Sequence, residues 1–376
     1  MEFDFQKQPG RKRVRFYAPD PKDALVSVIT PYYNAGEYFE QTFNAVMNQT
    51  FPWFEWIIVN DGSTNEKDVE ILHRFAAQDP RIRVVTQENG GQSSARNTGI
   101  ANACTELVVP LDADDLISAT YLEYLYWSLY FNPDAAWSYC DNCGFQEQEY
   151  LWKHHFDSQR MKTENFLVAT AMIRKKDIED IGGYKIEKYR YHEDWRFWLD
   201  MLAQEKKPVH VGNIMFWYRR TDKGMLSSVM QDPNKAKFSD DIIRKAAANV
   251  RTCVQASEYP VVSSQQTYHT PKKIQWNQKV TDNMTKKRVM WLLPWMTMGG
   301  ADKFNLDAIA GLNKQGFENY IVTTLASDNV WKQKFEEHTD EIFCLADFLD
   351  PAHFAEFISY FIQSRDIDVI MLSNSY

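Results

Sequence analysis

Four short apolar runs, the first three each followed by a segment of helical periodicity, set what this chain can fold into. The runs are Leu25 to Ile29, Trp56 to Val59, Ile82 to Val85 and Leu107 to Leu111. Between them Phe39, Phe43, Val46 and Met47, and then Val69, Leu72 and Phe75, fall at helical spacing, and Ser93 to Ala103 predicts a small-residue helix. Strands alternating with helices at the roughly 30-residue βαβ repeat predict a parallel sheet in a doubly wound α/β domain. Pro110 lacks the N–H that a central strand needs, so a bulge is expected there.

Beyond Leu116 the pattern predicts strands at Ala136 to Cys140, Phe166 to Ile173 and Asn213 to Arg219, and helices at Asp194 to Gln204 and Lys235 to Val254. Residues 256–286 are polar, carry Pro260 and Pro271, and read as a linker. Alternation resumes with strands at Val289 to Leu293, Tyr320 to Thr324 and Val369 to Leu372, and with helices after Met298-Gly-Gly-Ala-Asp302 and at Phe354 to Arg365. The expected organisation is a basic leader (1–23), a main domain (24–255), the linker (256–286) and a partial Rossmann-like unit (287–376).

Composition narrows the function. A net charge of -9 over 376 residues argues against a nucleic-acid partner. No run approaches the roughly 18 apolar residues of a membrane span, and the N-terminus lacks the apolar core of a secretory signal. Five cysteines do not make a disulfide framework at this length. A cytoplasmic protein is expected. Lys7, Arg11, Lys12, Arg13 and Arg15 are either a solvated leader or a patch for anionic headgroups, the second giving peripheral contact at the cytoplasmic membrane face.

Ligands of open parallel sheets bind beyond the carboxyl ends of the strands. Those ends read Pro31-Tyr32-Tyr33, Asn60-Asp61 and Asp112-Ala-Asp114-Asp115. No glycine fingerprint follows the first strand, so a dehydrogenase-type dinucleotide site is not expected. Asp112 and Asp114 fall on one side of an extended segment. Their mutual repulsion would be relieved by a hard divalent ion bridging to phosphates, or the triplet is an acidic turn. Asp115 is expected to cap the following helix. Arg96, at the first turns of the helix behind Gly90-Gly91, suits an anion or is a surface ion pair. Glu193-Asp194 is a helix cap or a pocket wall with a general base. Trp195 and Trp198 offer a sugar platform or core. Cys140 and Cys143 have zinc-ligand spacing without a second pair, and are read as reduced thiols.

Together, Val26-Ser-Val-Ile-Thr-Pro-Tyr-Tyr-Asn34, Val59-Asn-Asp-Gly-Ser-Thr64, Asn89-Gly-Gly-Gln-Ser-Ser-Ala-Arg-Asn97, Leu111-Asp-Ala-Asp-Asp115 and Glu193-Asp-Trp195 resemble, in order, the motifs of family 2 glycosyltransferases of the GT-A fold, over residues 24–230. The resemblance implies a mixed, mainly parallel sheet and an inverting, metal-dependent transfer from a nucleoside diphosphate sugar, UDP-sugar favoured, to a glycan or lipid-linked acceptor in surface polysaccharide synthesis. It implies that Pro31, Tyr33 and Asp61 hold the base and Asp112 the ribose side. Arg96 would approach the diphosphate, Asp114 would ligate Mn²⁺ or Mg²⁺, and Asp194 would be the general base with Glu193 and Trp195 in the pocket wall. One departure is visible: Tyr218-Arg-Arg-Thr-Asp-Lys223 lacks the histidine many members carry there, with Asp222 or Arg220 as substitutes. Residues 288–302 resemble the opening of a family 4, GT-B enzyme. The competing readings are a sugar-nucleotide pyrophosphorylase and a non-catalytic nucleotide-sugar-binding or scaffolding module of a larger glycosyltransferase.

Overall fold

Val26, Val28 and Ile29 are fully buried in β1 (Val26–Tyr32), because this strand is sandwiched between two parallel neighbours and covered on both faces. Those neighbours are β2 (Phe54–Asp61) and β4 (Leu107–Pro110), and β3 (Ile82–Gln87) adds in parallel to β2. The crossovers are α1 (Gly36–Met47), α2 (Glu66–Ala76) and α3 (Gln92–Asn102). α3 lies against the sheet at Gly99, where a Cβ would stand 2.2 Å from Ile29 Cγ2. The computed structural model describes residues 3–187, 192–221, 232–261, 274–281 and 285–373. It divides into a first unit, Phe5–Ser257, and a second drawn chiefly from Glu258–Tyr376.

The first unit continues through β5 (Leu116–Ile117), α4 (Tyr121–Tyr130), β6 (Ala135–Gln146), β7 (Tyr150–Trp152), β8 (Met172–Arg174), α5 (Lys175–Asp180), α6 (Glu193–Ala203), β9 (Lys207–Arg220) and α7 (Pro233–Asn249). Its strand order runs β9-β6-β8-β4-β1-β2-β3, with β8 antiparallel to both β4 and β6. The sheet is therefore mixed and mostly parallel, the GT-A-like α/β arrangement. The bulge expected at Pro110 is absent: Pro110 continues the β1 register opposite Ile29. β8 pairs only with Leu107 and Val108, and Leu111 N donates to Ile29 O at 2.9 Å. Pro110 faces a side that no ladder reaches, so its missing N–H costs nothing there. Cys140 and Cys143 are free, buried thiols in β6, and burial pushes both well up.

The leader is not a free tail. Arg13 pairs with buried Asp79 at 2.8 Å, Arg15 Nε donates to Asn48 O at 2.9 Å, and Asn48 Nδ2 donates to Lys12 O at 2.6 Å. No described helix is long and apolar enough to cross a membrane.

The second unit carries a parallel four-stranded sheet of Arg288–Leu293, Glu318–Thr323, Ile342–Cys344 and Val369–Leu372, in the order third, second, first, fourth. Its core gathers Val289, Trp291, Leu293, Ile309 and Ile321. Part of the expected linker packs on this unit, since Trp276 N donates to Gln363 Oε1 and Val280 N to Ser364 O, both at 3.0 Å. The rest of 262–284 falls mostly outside the described residues.

Candidate functional site

Each strand end of β1, β2 and β4 contributes one wall of a cleft of about 370 Å³, lined by Pro31, Tyr33, Asp61, Gly91, Asp112 and Asp114 among others. Tyr33 is 49% exposed there, whereas Pro31 is buried as part of β1. Asn34, left-handed at φ 50, fastens this loop to the next one. Its Oδ1 accepts from Thr64 N at 2.9 Å and Asn65 N at 3.0 Å. Asp61 closes β2 and is turned toward the start of α3, accepting from Gly90 N (2.8 Å), Gly91 N (2.7 Å) and Gln87 Nε2 (2.7 Å). A carboxylate so satisfied is a fixed acceptor rather than a mobile base.

The aspartate loop after β4 is held from two sides. Arg96 is 1% exposed and donates to Asp112 at 2.8 Å and, from its other terminal nitrogen, to Glu193 at 3.2 Å. Arg219 holds the far side: its Nε donates to Asp114 O at 2.7 Å, while its terminal nitrogens reach Gln146 (2.9 Å) and Gln41 (2.8 Å). Its guanidinium lies over the rings of Tyr38 and Phe145. Thr42 Oγ1 also donates to Ala113 O at 3.0 Å. Burial, reinforced by the Asp112 charge, pushes Asp114 up to about 6. Asp115 is buried and pushed well above the carboxylate range by burial and by Asp114 and Asp112. It does not cap the next helix. α4 starts at Tyr121 behind Thr120, and Asp115 Oδ1 accepts from Arg219 N at 2.8 Å, because the loop folds back onto β9 before α4 begins.

Glu193, Asp194 and Trp195 open α6 behind His192, which is left-handed at φ 59. Asp194 accepts from Trp195 N at 2.7 Å and from Asn165 Nδ2 at 3.3 Å. Burial first, then the neighbouring Glu193 charge, pushes it up to about 7. That value suits a group exchanging a proton near neutrality. Trp195 Nε1 donates to Met161 O at 2.6 Å, and Trp198 is core, 5.1 Å from Trp137 between ring centroids.

Five expected residues, Pro31, Tyr33, Asp61, Asp112 and Asp114, thus share one cleft. Arg96 is buried between Asp112 and Glu193 rather than on the surface, and through that pair the α6 residues join the cleft residues. Arg220 Nε turns to Gln148 at 3.3 Å, and Asp222 lies outside the described residues. Sequence reading missed the roles of Arg219 and of Tyr184, whose ring lies under Arg96. Only the Tyr218-Arg219 pair and the Gly182-Gly183 turn before Tyr184 mark them.

Asp112 and Asp114 offer hard oxygen donors whose mutual repulsion is already visible in the raised Asp114. A divalent cation such as Mn²⁺ or Mg²⁺ fits that donor set.

The model for Glycosyl transferase family 2 matches residues 27–194. TuaG of Bacillus subtilis (strain 168), by name a teichuronic acid biosynthesis glycosyltransferase, is 46% identical over 224 residues, covering 57% of this chain and 86% of that protein. The glycosyltransferase GlyG of Streptococcus pneumoniae serotype 4 is 27% identical over 252 residues, covering 62% and 81%. Among solved structures, S. aureus TarS 1-349 in complex with UDP-GlcNAc aligns with a TM-score of 0.48 and 20% identity, over 54% of this chain and 61% of that one. Likeness at that level decides nothing about ligands. The family match ends at residue 194, and the resemblance of 288–302 to family 4 gains no support from it.

Proposed function

The chain belongs to glycosyl transferase family 2, and from that premise we propose that its first unit moves a sugar, with inversion, from a nucleoside diphosphate sugar to a hydroxyl of a glycan or lipid-linked acceptor. The observation that carries this is the convergence of Tyr33, Asp61, Asp112 and Asp114 on one cleft at the strand ends. Tyr33 and Pro31 form the wall for the base, with Asp61 beside them. Asp112 faces the ribose side, and a UDP-sugar is the favoured donor. The raised Asp114, with Asp112 nearby, would hold Mn²⁺ or Mg²⁺, which when bound would offset negative charge on the departing diphosphate.

Asp194 is the proton acceptor in this reading. Its carboxylate takes the acceptor hydroxyl's proton as that oxygen forms its bond to the anomeric carbon and the bond to the diphosphate oxygen breaks. Burial supports the role twice, by matching the proton affinity to neutral pH and by excluding competing water. Glu193 keeps Arg96 beside the base. TuaG's name favours polysaccharide synthesis as the setting.

The test is a donor-hydrolysis and binding screen over nucleotide sugars with Mn²⁺ and Mg²⁺. Metal-dependent binding that Asp114→Ala removes is the expected result. Failure of every nucleoside diphosphate to bind would leave the scaffolding alternative in its place.

A further inference from the structure

Tyr184 is 2% exposed, yet its hydroxyl has no hydrogen-bond partner among the described residues. The same holds for Arg96 Nε, in a side chain that is 1% exposed. Burying a polar group without a partner costs about 1–3 kcal/mol, so two such donors in adjacent groups need an explanation. Disordered packing is not one. Gly182 and Gly183 are both left-handed (φ 74 and 69), and Asn97 brackets the Tyr184 backbone, accepting from Tyr184 N and donating to Tyr184 O, each at 2.8 Å. A side chain on Gly183 would meet Asn97 Oδ1 at 2.7 Å. The ring is stacked on Phe197 at 4.3 Å and 13°, with the Arg96 guanidinium 5.4 Å from its centroid. The phenol is therefore held in place by its backbone and both ring faces, and its hydroxyl is left over.

Arg96, over the ring, ties this residue to the acids of the site, reaching Asp112 at 2.8 Å and Glu193 at 3.2 Å. Burial raises the phenol's pKa and Arg96 opposes this, while Asp194, Asp112 and Glu193 each raise it further. It remains a protonated donor at neutral pH. Asp112 stands on the donor side of the site and Asp194 on the acceptor side. What must lie between a departing diphosphate and a general base is the transferred sugar itself.

We infer that Tyr184 is a sugar-contacting, specificity-determining residue: its hydroxyl donates a hydrogen bond to an oxygen of the transferred sugar, in a subsite where Arg96 Nε is a second unmet donor. A sugar hydroxyl is the matching chemistry, because it accepts from such donors and can donate in turn to a carboxylate such as Asp112 or Glu193. The inference rests on the donor reading given above. A site built this way discriminates strongly, since a ligand lacking that oxygen leaves buried donors unpaired.

The test is Tyr184→Phe, which keeps the ring and its stacking and removes one oxygen. Two readouts are taken in Mn²⁺: thermal stability, and calorimetric titration with UDP-, GDP- and dTDP-hexoses beside UDP, GDP and dTDP. Melting at or above the wild-type temperature is expected, because an unmet buried donor has been removed. Affinity for the bound nucleotide sugar should weaken about tenfold or more, with affinity for its free nucleoside diphosphate unchanged. A clear drop in melting temperature would show an internal partner for the hydroxyl and overturn the inference. Unchanged sugar-nucleotide affinity, or equal weakening for sugar-bearing and free nucleotides, would overturn it too. Failure of the unsubstituted protein to bind any of the panel would instead sink the donor reading, and the subsite with it. The melting comparison distinguishes these cases, since it needs no ligand.

Discussion

In the second unit, buried Arg365 donates to Glu341 at 2.9 Å, and Arg288 pairs with Glu318 at 3.2 Å. In the first unit, Asp112, Asp114 and Asp115 crowd one loop, Glu193 adjoins Asp194, and the cations Arg96 and Arg219 are shared among them. The second unit's sheet and the first four strands of the first unit's sheet share the parallel order third, second, first, fourth. The second unit sets each of these cations against one acid, whereas the strand-end site of the first unit crowds several acids around two cations. The paired arrangement serves the fold. The crowded one leaves several carboxyls holding protons more tightly than usual, a condition that clusters at functional sites. Strand order alone does not distinguish the two units, so function has to be read from the groups at the strand ends.

Substitutions can break this contrast. Asp114→Ala should abolish metal-dependent nucleotide-sugar binding and lower turnover at least about 10³-fold, and chelation of the metal should do the same to the wild type; retained binding in either arm would remove Asp114 from the metal site. Asp194→Asn should lower transfer by about 10²- to 10⁴-fold while donor affinity stays within about twofold, as read by initial rates beside calorimetry. Arg365→Ala removes the buried cation that pairs with Glu341 and should cost about 3–5 kcal/mol in denaturant unfolding of the second unit. Donor affinity in the first unit should be unaffected.

The pH dependence sharpens the contrast further. Asp194 titrates near 7 when folded, against an ordinary value of 3.8. Between those pH values the folded chain keeps a proton that the unfolded chain has released, so stability falls as pH rises from about 4 to about 7. Asp114, raised to about 6, adds to the lower part of that window. Asp194→Asn should flatten the fall by about 1–3 kcal/mol in metal-free unfolding curves. A curve of unchanged slope would mean the carboxyl is ionised throughout. The smallest effect is expected from Arg219→Lys, which keeps the charge but loses the fork that reaches Asp114 O, Gln146 and Gln41. Donor affinity should weaken about tenfold, with kcat largely kept.

The first four strands were legible because each carries a short apolar, β-branched run, fully buried in β1 and β4 and only half-buried in β3, and the ends of β1, β2 and β4 put Tyr33, Asp61, Asp112 and Asp114 on one rim. The later half was not. β6 and β9 span 12 and 14 residues with shifts of register at Ala135/Trp137 and around Asp141, and they bury polar groups such as the His210–Asp141 pair at 2.8 Å. Such strands lack a clean alternation. Strand direction is equally silent in composition, so the strand expected at Phe166 to Ile173 gave no sign that β8, at Met172–Arg174, runs antiparallel to both neighbours. Arg219 acts across 105 residues on Asp114, through a fold-back that no local pattern records. Tyr184 escaped for a related reason: a tyrosine after two glycines looks like a turn until its hydroxyl is seen to lack a partner.

Arg96 has a consequence of its own. One guanidinium neutralises two acids that would serve opposite ends of the reaction, so neither Asp112 nor Glu193 has the whole cation. A ligand that draws Asp112 toward itself leaves more positive charge for Glu193 and, next to it, Asp194, favouring the ionised, proton-accepting form of the base while the donor is bound. Occupancy at one end would then be felt at the other through a shared counter-ion, with no hinge required.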